Sequence, residues 1–421
     1  MKKKRLICLI LLFAMLAFTA CGGQESGETN IPTTNDEENN VGNIEEGEKT
    51  EEPENLTPTS TPSPTPTEAP AVQYSKITIN EDVTHQTWKG FGASAAWWAQ
   101  YVGAWTKQDK NSGLEMRDAI ARLLYSPTEG IGLNIYRYNV GAGSKNDSGN
   151  YQSDRSTECF ETAPGVYDWT KDANAVYMMK KAQEYAGEDF EAIFFCNSPL
   201  SRLTISGKAQ MNKGSKNNIL EENYDDFAKY VLDVAEHFKT EEGINVTEIS
   251  PINEPQWEWI DGQEGCHYEP PQVVEVLKEF VNAIGKREKL EGVRISGPES
   301  GQWLGSTQSY VLAMMRDSVL KEYFDTLDIH SYWSNASDKQ SFAKWVNNRF
   351  PGLNLVTSEW CEMVGGYDYG MDSALVLAKE VMDDLKILDV VSWQLWVAAA
   401  PGNYHDGLIY LNTGIKTYTE T

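Results

Sequence analysis

The sequence predicts a (β/α)8 barrel for residues 72–421, and three observations support this fold class. From Gly90 onward, eight short apolar runs are bounded by turn residues, as buried strands of a parallel sheet would be. Amphipathic stretches of about 10 to 18 residues separate the runs. Polar and aromatic residues follow the ends of the runs, where a barrel carries its functional groups. Eight strands that alternate with helices therefore indicate an α/β barrel.

The eight predicted strands are five to eight residues long and mostly apolar. Between them, apolar residues recur at helical spacing on one face of Tyr224 to Phe238, Pro271 to Ala283 and Ser373 to Ile387, which predicts helices that pack on the sheet. The predicted strands are Gly90 to Ser94, Leu133 to Val140, Ala192 to Asn197, Thr247 to Asn253, Val293 to Pro298, Leu327 to Tyr332, Leu353 to Ser358 and Val390 to Leu395.

Residues 1–21 predict an export signal with a lipid anchor. Basic residues Lys2 to Arg5 precede an apolar run from Leu6 to Phe18, and small residues Thr19 and Ala20 come directly before Cys21. The run is shorter than the roughly 20 residues that span a bilayer. A cysteine at this position resembles the lipobox of bacterial lipoproteins, so we expect lipidation of Cys21 and a location on the extracellular face of a bacterial cell membrane. The alternative is a secreted protein that is cut near Ala20.

Residues 22–71 predict a disordered linker. This segment holds 12 acidic residues and one lysine, and Thr57 to Pro70 is rich in Thr, Pro and Ser. The whole chain has 36 Lys and Arg against 62 Asp and Glu, and residues 72–421 alone keep a net charge of −19. This balance argues against a nucleic-acid partner and disfavours an anionic substrate.

Neither the cysteines nor the histidines predict a metal site. No two cysteines have CxxC spacing, and His330, one of five histidines, has no further ligands spaced for a shared ion. We expect the cysteines to be mostly free, no metal or other cofactor, and a monomer. The cysteines of the predicted domain are Cys159, Cys196, Cys266 and Cys361.

The carboxyl ends of the strands predict a groove that binds a polysaccharide. Nine of the 13 tryptophans lie at or just after a predicted strand end, and flat aromatic rings stack on sugar faces. The alternative for Trp97 and Trp98 is a core position, and the alternative for Arg137 is a structural ion pair. The predicted binding residues are Trp97, Trp98, Arg137, Asn139, Asn197, Asn253, His330, Tyr332, Trp333, Trp393 and Trp396.

Two glutamates predict glycoside hydrolysis. Glu254 ends the fourth strand within Asn-Glu-Pro and Glu359 ends the seventh within Ser-Glu-Trp, so the barrel would bring them to one mouth. A retaining glycosidase needs one carboxylic acid and one carboxylate about 5 Å apart. We predict Glu254 as acid/base and Glu359 as nucleophile, with Arg137 and Tyr332 holding Glu359 ionised and Asn253 binding the sugar 2-hydroxyl. The other carboxylates near strand ends, Glu258, Glu264, Glu299 and Glu362, are interpreted as positional or surface groups.

These residues together resemble glycoside hydrolase family 30, a family of barrel enzymes with an acid on strand four and a nucleophile on strand seven. The resemblance covers about Trp88 to Leu411 and implies the same roles for Glu254 and Glu359. It is carried by WKGFGAS (88–94), LNIYRYNVGAG (133–143), NSP (197–199), PINEP (251–255), QEG (263–265), GPE (297–299), HSYW (330–333), SE (358–359) and SWQLW (392–396).

Within that family, Ser94 to Ala99 most resembles the first-strand loop of endo-β-1,6-galactanases, which cut the galactan side chains of arabinogalactan. A β-1,6-glucanase or a xylanase of the same family is the alternative. Leu200 to Leu203 depart from the second proline and aromatics that the family commonly has there, which implies an altered sugar preference.

The second departure concerns the end of the sequence. Family members carry a β-sandwich side domain after the barrel, whereas this sequence stops at Thr421, so we expect that domain to be missing and the last helix to be incomplete. Two alternatives to an active glycosidase remain. One is a glycan-binding lipoprotein with impaired catalysis, and the other is a metal-dependent hydrolase.

Overall fold

Eight parallel strands form the centre of the molecule. The computed structural model describes residues 76, 78–402 and 404–420, and its described residues from Ile79 onward form one compact unit. The first strand pairs in parallel with the second and with the eighth. The strands are Gly90–Ser94, Ile135–Asn139, Glu191–Phe195, Val246–Ser250, the two-part strand Arg294–Ile295 and Pro298–Ser300, Thr326–His330, Asn354–Glu359 and Ser392–Leu395.

The fifth strand closes the barrel because its two parts pair with different neighbours. Arg294–Ile295 pairs with the fourth strand, and Pro298–Ser300 pairs with the sixth. Only Ser296 and Gly297 separate the two parts, and the Ser296 amide donates to Ile249 O at 2.9 Å. The sheet therefore has no open edge at this point, and the predicted fold class is confirmed.

All eight predicted strands are present, and the first has the predicted bounds. This strand lies close to the second because Gly92 has no side chain: a Cβ there would lie 2.7 Å from Ile135 Cβ. Glycine at this position lets the two strands pair next to the first loop of the mouth.

The predicted helices are also confirmed. Pro270–Ile284 begins with a capping box formed by Glu269 and Gln272, and its apolar face is buried. Tyr224–Thr240 buries a similar face, whereas Asp372–Asp383 has no buried residue and continues into a π-helical turn, Asp384–Leu388. The remaining α-helices of the described chain are Ala99–Val102, Met116–Tyr125, Ala173–Ala186, Ser306–Met314, Ser318–Tyr323 and Ala336–Arg349.

A buried polar network ties the sixth to eighth strands to the helices outside them. Lys339 is fully buried, and its Nζ lies 2.6 Å from Glu380 Oε1 and 2.8 Å from Asp384 Oδ1. Asp384 Oδ2 accepts hydrogen bonds from Thr357 Oγ1 at 2.9 Å and from Trp393 Nε1 at 3.0 Å. The lysine thus compensates two acids in the barrel wall behind Glu359.

The chain after the eighth strand continues as strands rather than the expected helix. Ala399–Ala400, Ile409–Asn412 and Thr417–Glu420 form a small separate sheet. Ile409–Asn412 pairs along its length with Thr417–Glu420, and Ile409, Tyr410 and Leu411 are buried. Up to residue 420, no described helix follows Leu395.

Several predictions concern parts of the chain that the structure does not describe. The export signal, Cys21 and the linker up to residue 71 lie outside the described residues. In the part that is described, none of the helices has both the length and the apolar character needed to cross a bilayer. The four cysteines of the barrel form no disulfide, as expected.

Candidate active site

Glu254 lies just beyond the fourth strand, with its side chain aimed into the barrel mouth. Its backbone has a φ of 42°, in the left-handed region that non-glycine residues rarely adopt. Its amide donates to Glu299 O at 2.9 Å, and Trp259 Nε1 donates to its carbonyl at 3.3 Å. These bonds hold a strained residue in place, and the side chain is buried.

Glu359 is the last residue of the seventh strand and is also buried. One carboxylate oxygen forms an ion pair with Arg137 of the second strand. The other, Oε1, accepts a hydrogen bond from the Tyr332 hydroxyl at 3.1 Å. Both contacts expected from the sequence are therefore present.

His330 joins the two glutamates. This histidine ends the sixth strand and is fully buried, and its Nδ1 lies 3.3 Å from Glu254 Oε1 and 3.4 Å from Glu359 Oε1. One oxygen of each glutamate and a ring nitrogen of His330 all lie within 4.8 Å of one another. The two glutamates are 105 positions apart in the sequence. The barrel brings their carboxyl groups close enough to lie on either side of a single glycosidic bond.

Glu299 is part of this cluster, although the sequence interpretation treated it as a positional or surface group. It is fully buried, with a φ of 53°, and its Oε2 lies 3.3 Å from His330 Nε2 and 3.9 Å from an Arg137 nitrogen. The interpretation as a surface group is wrong because barrel closure directs the end of the fifth strand inward. The one local signal in the sequence is its position directly after Gly297-Pro298, where the strand is interrupted.

The surroundings of the cluster shift the pKa values of Glu254 and Glu299 in opposite directions. Burial raises the pKa of Glu254, and His330 only partly offsets this effect. Burial opposes ionisation of Glu299 too, but His330 and the charge of Arg137 lower its pKa to about 2. Burial alone would lower the pKa of His330, yet the charge of Glu359 and the hydrogen bonds of Glu254 and Glu299 raise it to about 9. At neutral pH His330 is therefore a cation.

The same geometry corrects the argument against a metal site. The sequence spacing gave His330 no further ligands, yet the fold places Glu254 and Glu359 beside it, and the three could in principle share an ion. The charges do not fit this role well, because Arg137 already pairs with Glu359 and places a positive charge beside the cluster. The cluster fits proton transfer better than metal coordination.

Of the tryptophans predicted to bind sugar, three lie at or near the mouth, and Trp97 among them is buried. Trp97 packs edge-on against Trp396 at 5.4 Å between ring centroids. Trp333 is 55% exposed and contacts Trp257, an exposed ring that was not among the predicted binding residues, at 5.5 Å. Trp257 follows Glu254 by three positions, so its place after a strand end was the signal for it.

The prediction is wrong for Trp98 and Trp393. Both rings are buried in the hydrophobic core. Trp98 Nε1 donates to Ser94 O at 3.0 Å, and Trp393 Nε1 donates to Asp384, so each polar end is satisfied inside the fold. Two adjacent tryptophans cannot both face the mouth on the short turn where Trp98 begins a helix.

The three asparagines are buried near Arg137. Asn253 Oδ1 accepts from an Arg137 nitrogen at 3.1 Å. Asn197 Nδ2 contacts Asn139 Oδ1 at 3.4 Å, while Asn197 Oδ1 has no hydrogen-bond partner in the described structure. This unpartnered acceptor is available to a sugar hydroxyl.

The remaining carboxylates lie apart from the pair. Glu258 is exposed, and Glu362 contacts His405 Nδ1 at 2.9 Å. Glu264 is fully buried and accepts from Thr157 Oγ1 at 2.6 Å and from the Ala142 amide, so it anchors loops of the mouth. These three positions agree with the sequence interpretation.

Two buried carboxyl groups that face each other at the mouth of a (β/α)8 barrel are the arrangement of a glycosidase. Residues 74–410 match O-Glycosyl hydrolase family 30, and the chain belongs to this family.

Similar proteins include two enzymes named for β-1,6-linked galactan. An endo-beta-1,6-galactanase of Hypocrea rufa is 29% identical over 76% of this chain and 67% of its own length. An exo-beta-1,6-galactobiohydrolase of Bifidobacterium longum is 24% identical over 73% of this chain, but only 26% of that enzyme is covered. A crystal structure of a conserved exported protein from Bacteroides fragilis has a TM-score of 0.67 and 25% identity, covering 79% of this chain and 74% of that one.

Proposed function

We propose that this glycosidase is a retaining enzyme that cleaves β-1,6-galactan within the chain by double displacement. The observation that carries the mechanism is the separation of at most 4.8 Å between oxygens of Glu254 and Glu359. Retaining glycosidases have carboxyl groups about 5–5.5 Å apart, whereas inverting enzymes need about 6.5–9.5 Å to admit a water molecule. The short distance between one oxygen of each glutamate supports direct attack by Glu359.

In the first step, a Glu359 oxygen forms a bond to the anomeric carbon as the bond to the leaving oxygen breaks. Glu254 gives its proton to that oxygen, so the leaving group departs as an alcohol and Glu254 becomes a carboxylate. In the second step, Glu254 takes a proton from water, and the resulting hydroxide oxygen displaces Glu359 from the anomeric carbon. The sugar keeps its β configuration, and both glutamates return to their starting states.

The charges of the cluster support this sequence of steps. With Glu254 protonated, the charges of Arg137 and His330 balance those of Glu299 and Glu359. In the glycosyl-enzyme, Glu359 is a neutral ester and Glu254 carries the charge, so the sum is again zero. A buried site favours states without net charge, and the proton of Glu254 moves in step with the charge of Glu359.

The substrate proposal depends on the related galactanase and on the mouth. The net negative charge of the chain suits a neutral polysaccharide. Trp333 and Trp257 form an exposed aromatic surface beyond Glu254, the side on which the leaving part of the glycan would lie. These two rings support binding of the leaving part of a glycan, and the proposal of cleavage within the chain depends on the similar endo-beta-1,6-galactanase.

The experiment measures product release by the purified full chain from β-1,6-galactan, β-1,6-glucan, xylan and aryl β-glycosides. Among the three polysaccharides, we expect galacto-oligosaccharides of several lengths from the galactan alone. Release of a single short product would contradict endo action, and release from glucan or xylan alone would contradict the substrate. Binding of galactan without any hydrolysis would contradict the enzymatic proposal.

We further propose that Cys21 is lipidated and that residues 22–71 hold the barrel away from the membrane. The support is the order of basic, apolar and small residues before Cys21 and the acidic, proline-rich composition of the linker. Expression in a bacterium fed with radioactive palmitate tests this proposal. We expect label in the wild-type protein and none in Cys21→Ser, and equal labelling of both would contradict it.

A further inference from the structure

Glu299 lies beneath the two catalytic glutamates, and the double displacement gives it no task. Its Oε1 accepts from Ser250 Oγ at 2.8 Å, and its Oε2 accepts from Ser358 Oγ at 2.5 Å. Ser296 Oγ is a third hydroxyl, 3.4 Å from Oε1. Hydroxyl donors from three strands, together with Arg137, surround both oxygens and favour the ionised form of this buried group.

His330 faces carboxylate oxygens with both ring nitrogens. Nε2 lies 3.3 Å from Glu299, and Nδ1 lies 3.3 and 3.4 Å from Glu254 and Glu359. A neutral imidazole carries one proton, so either tautomer would point a lone pair at an acidic side chain. The charged groups around His330 are these three glutamates, at the ends of the fourth, fifth and seventh strands, and Arg137 of the second strand. Arg137 pairs with Glu359.

We propose that Glu299 is a positioning residue that keeps both nitrogens of His330 protonated and so fixes the Nδ1 proton between Glu254 and Glu359. This inference rests on the proposed function of the two glutamates. Glu299, on the fifth strand, would thus affect catalysis through His330 and without contact with the substrate.

The position of Nδ1 explains what this arrangement achieves. Its distances to the two glutamate oxygens differ by only 0.1 Å. Before glycosylation the Nδ1–H stabilises the negative charge of Glu359. In the glycosyl-enzyme it stabilises the negative charge of Glu254. The ring does not need to turn between the steps, because Glu299 remains a charged neighbour 3.3 Å from Nε2 in both states.

The test is a pH titration of the full chain labelled with 15N-histidine, followed by NMR. The chain has five histidines, and the signal of His330 is identified as the one lost in His330→Gln. In the wild type we expect both ring nitrogens to remain protonated through pH 8. In Glu299→Gln we expect the midpoint to fall by about 1–3 pH units, the effect of losing one opposite charge in contact.

Glu264→Gln is the matched control, because it neutralises another fully buried glutamate that does not contact His330. We expect its His330 titration to match the wild type. A neutral His330 in the wild type at pH 7 would overturn the proposal even if Glu299→Gln does not fold, and so would an unchanged midpoint in a folded Glu299→Gln. The titration needs no substrate, so failure of the proposed galactanase activity is a separate result.

Discussion

Replacement of Glu254 by Gln separates proton donation from every other property of the site. Glutamine has nearly the shape of glutamic acid and the charge of its protonated form, and its side-chain oxygen can still face His330 Nδ1, 3.3 Å away in the wild type. The substitution therefore leaves the packing of a buried residue intact but removes the only proton that Glu254 can give to the leaving oxygen.

The expected loss follows from this single change. Proton transfer by a positioned acid is worth about 10²–10⁴ in rate, which corresponds to about 2.7–5.4 kcal/mol of transition-state stabilisation. A sugar leaving group needs the proton, so kcat/KM on galactan should fall by that factor. A nitrophenolate leaves without a proton, so kcat/KM on a nitrophenyl galactoside should fall by less than about tenfold.

The assay compares kcat/KM of wild type, Glu254→Gln and Glu258→Gln on both substrates, with thermal melting by circular dichroism. Glu258→Gln makes the same chemical change at an exposed position on the same loop, and it should resemble the wild type. Equal losses of Glu254→Gln on the two substrates would refute the assignment of Glu254 as the acid, provided that the variant melts like the wild type.

Three further predictions follow from the structure. Because burial raises the pKa of Glu254 and its protonated form is the active acid, kcat/KM should decline as the pH rises through that pKa, and a decline centred below about pH 4.3 would contradict the argument. Lys339→Met should lower the free energy of unfolding, measured by urea denaturation, by about 3–5 kcal/mol, because it leaves two acids in the barrel wall uncompensated. A loss below about 1 kcal/mol would show that the network does not depend on the lysine. Trp333→Ala should raise KM for galactan by about 2- to 12-fold, the loss of roughly 0.5–1.5 kcal/mol of ring contact, while Trp88→Ala, an exposed tryptophan just before the first strand, should not.

The sequence predicted those features that local patterns determine. Apolar runs between turn residues located all eight strands, since a strand buried on both faces leaves a clear record in composition. The positions of Glu254 and Glu359 followed from the strands, because the carboxyl ends of parallel strands meet at one mouth.

The errors concern the direction in which side chains point. Trp98 directly follows Trp97, and Trp393 lies three positions before Trp396, but sequence position does not tell which residue of each pair turns into the core. Of the two alternatives for Glu299, positional or surface, the surface alternative is wrong, because the inward turn of the interrupted fifth strand buries this residue beside His330, 31 positions away. The proximity of His330 to Glu254 and Glu359 was missed for the same reason, since side chains brought together by barrel closure leave no spacing pattern in the sequence.

The central claim is that Glu359 attacks the sugar while Glu254 supplies the proton. The most direct measurement incubates the full chain with a 2-deoxy-2-fluoro-β-galactoside that carries a good leaving group, then maps the labelled peptide by mass spectrometry. The account predicts one fluorogalactosyl group, bound as an ester to Glu359, and no labelling of Glu359→Gln. A label on Glu254 or Glu299, or rapid turnover with inversion of the anomeric configuration, would contradict it.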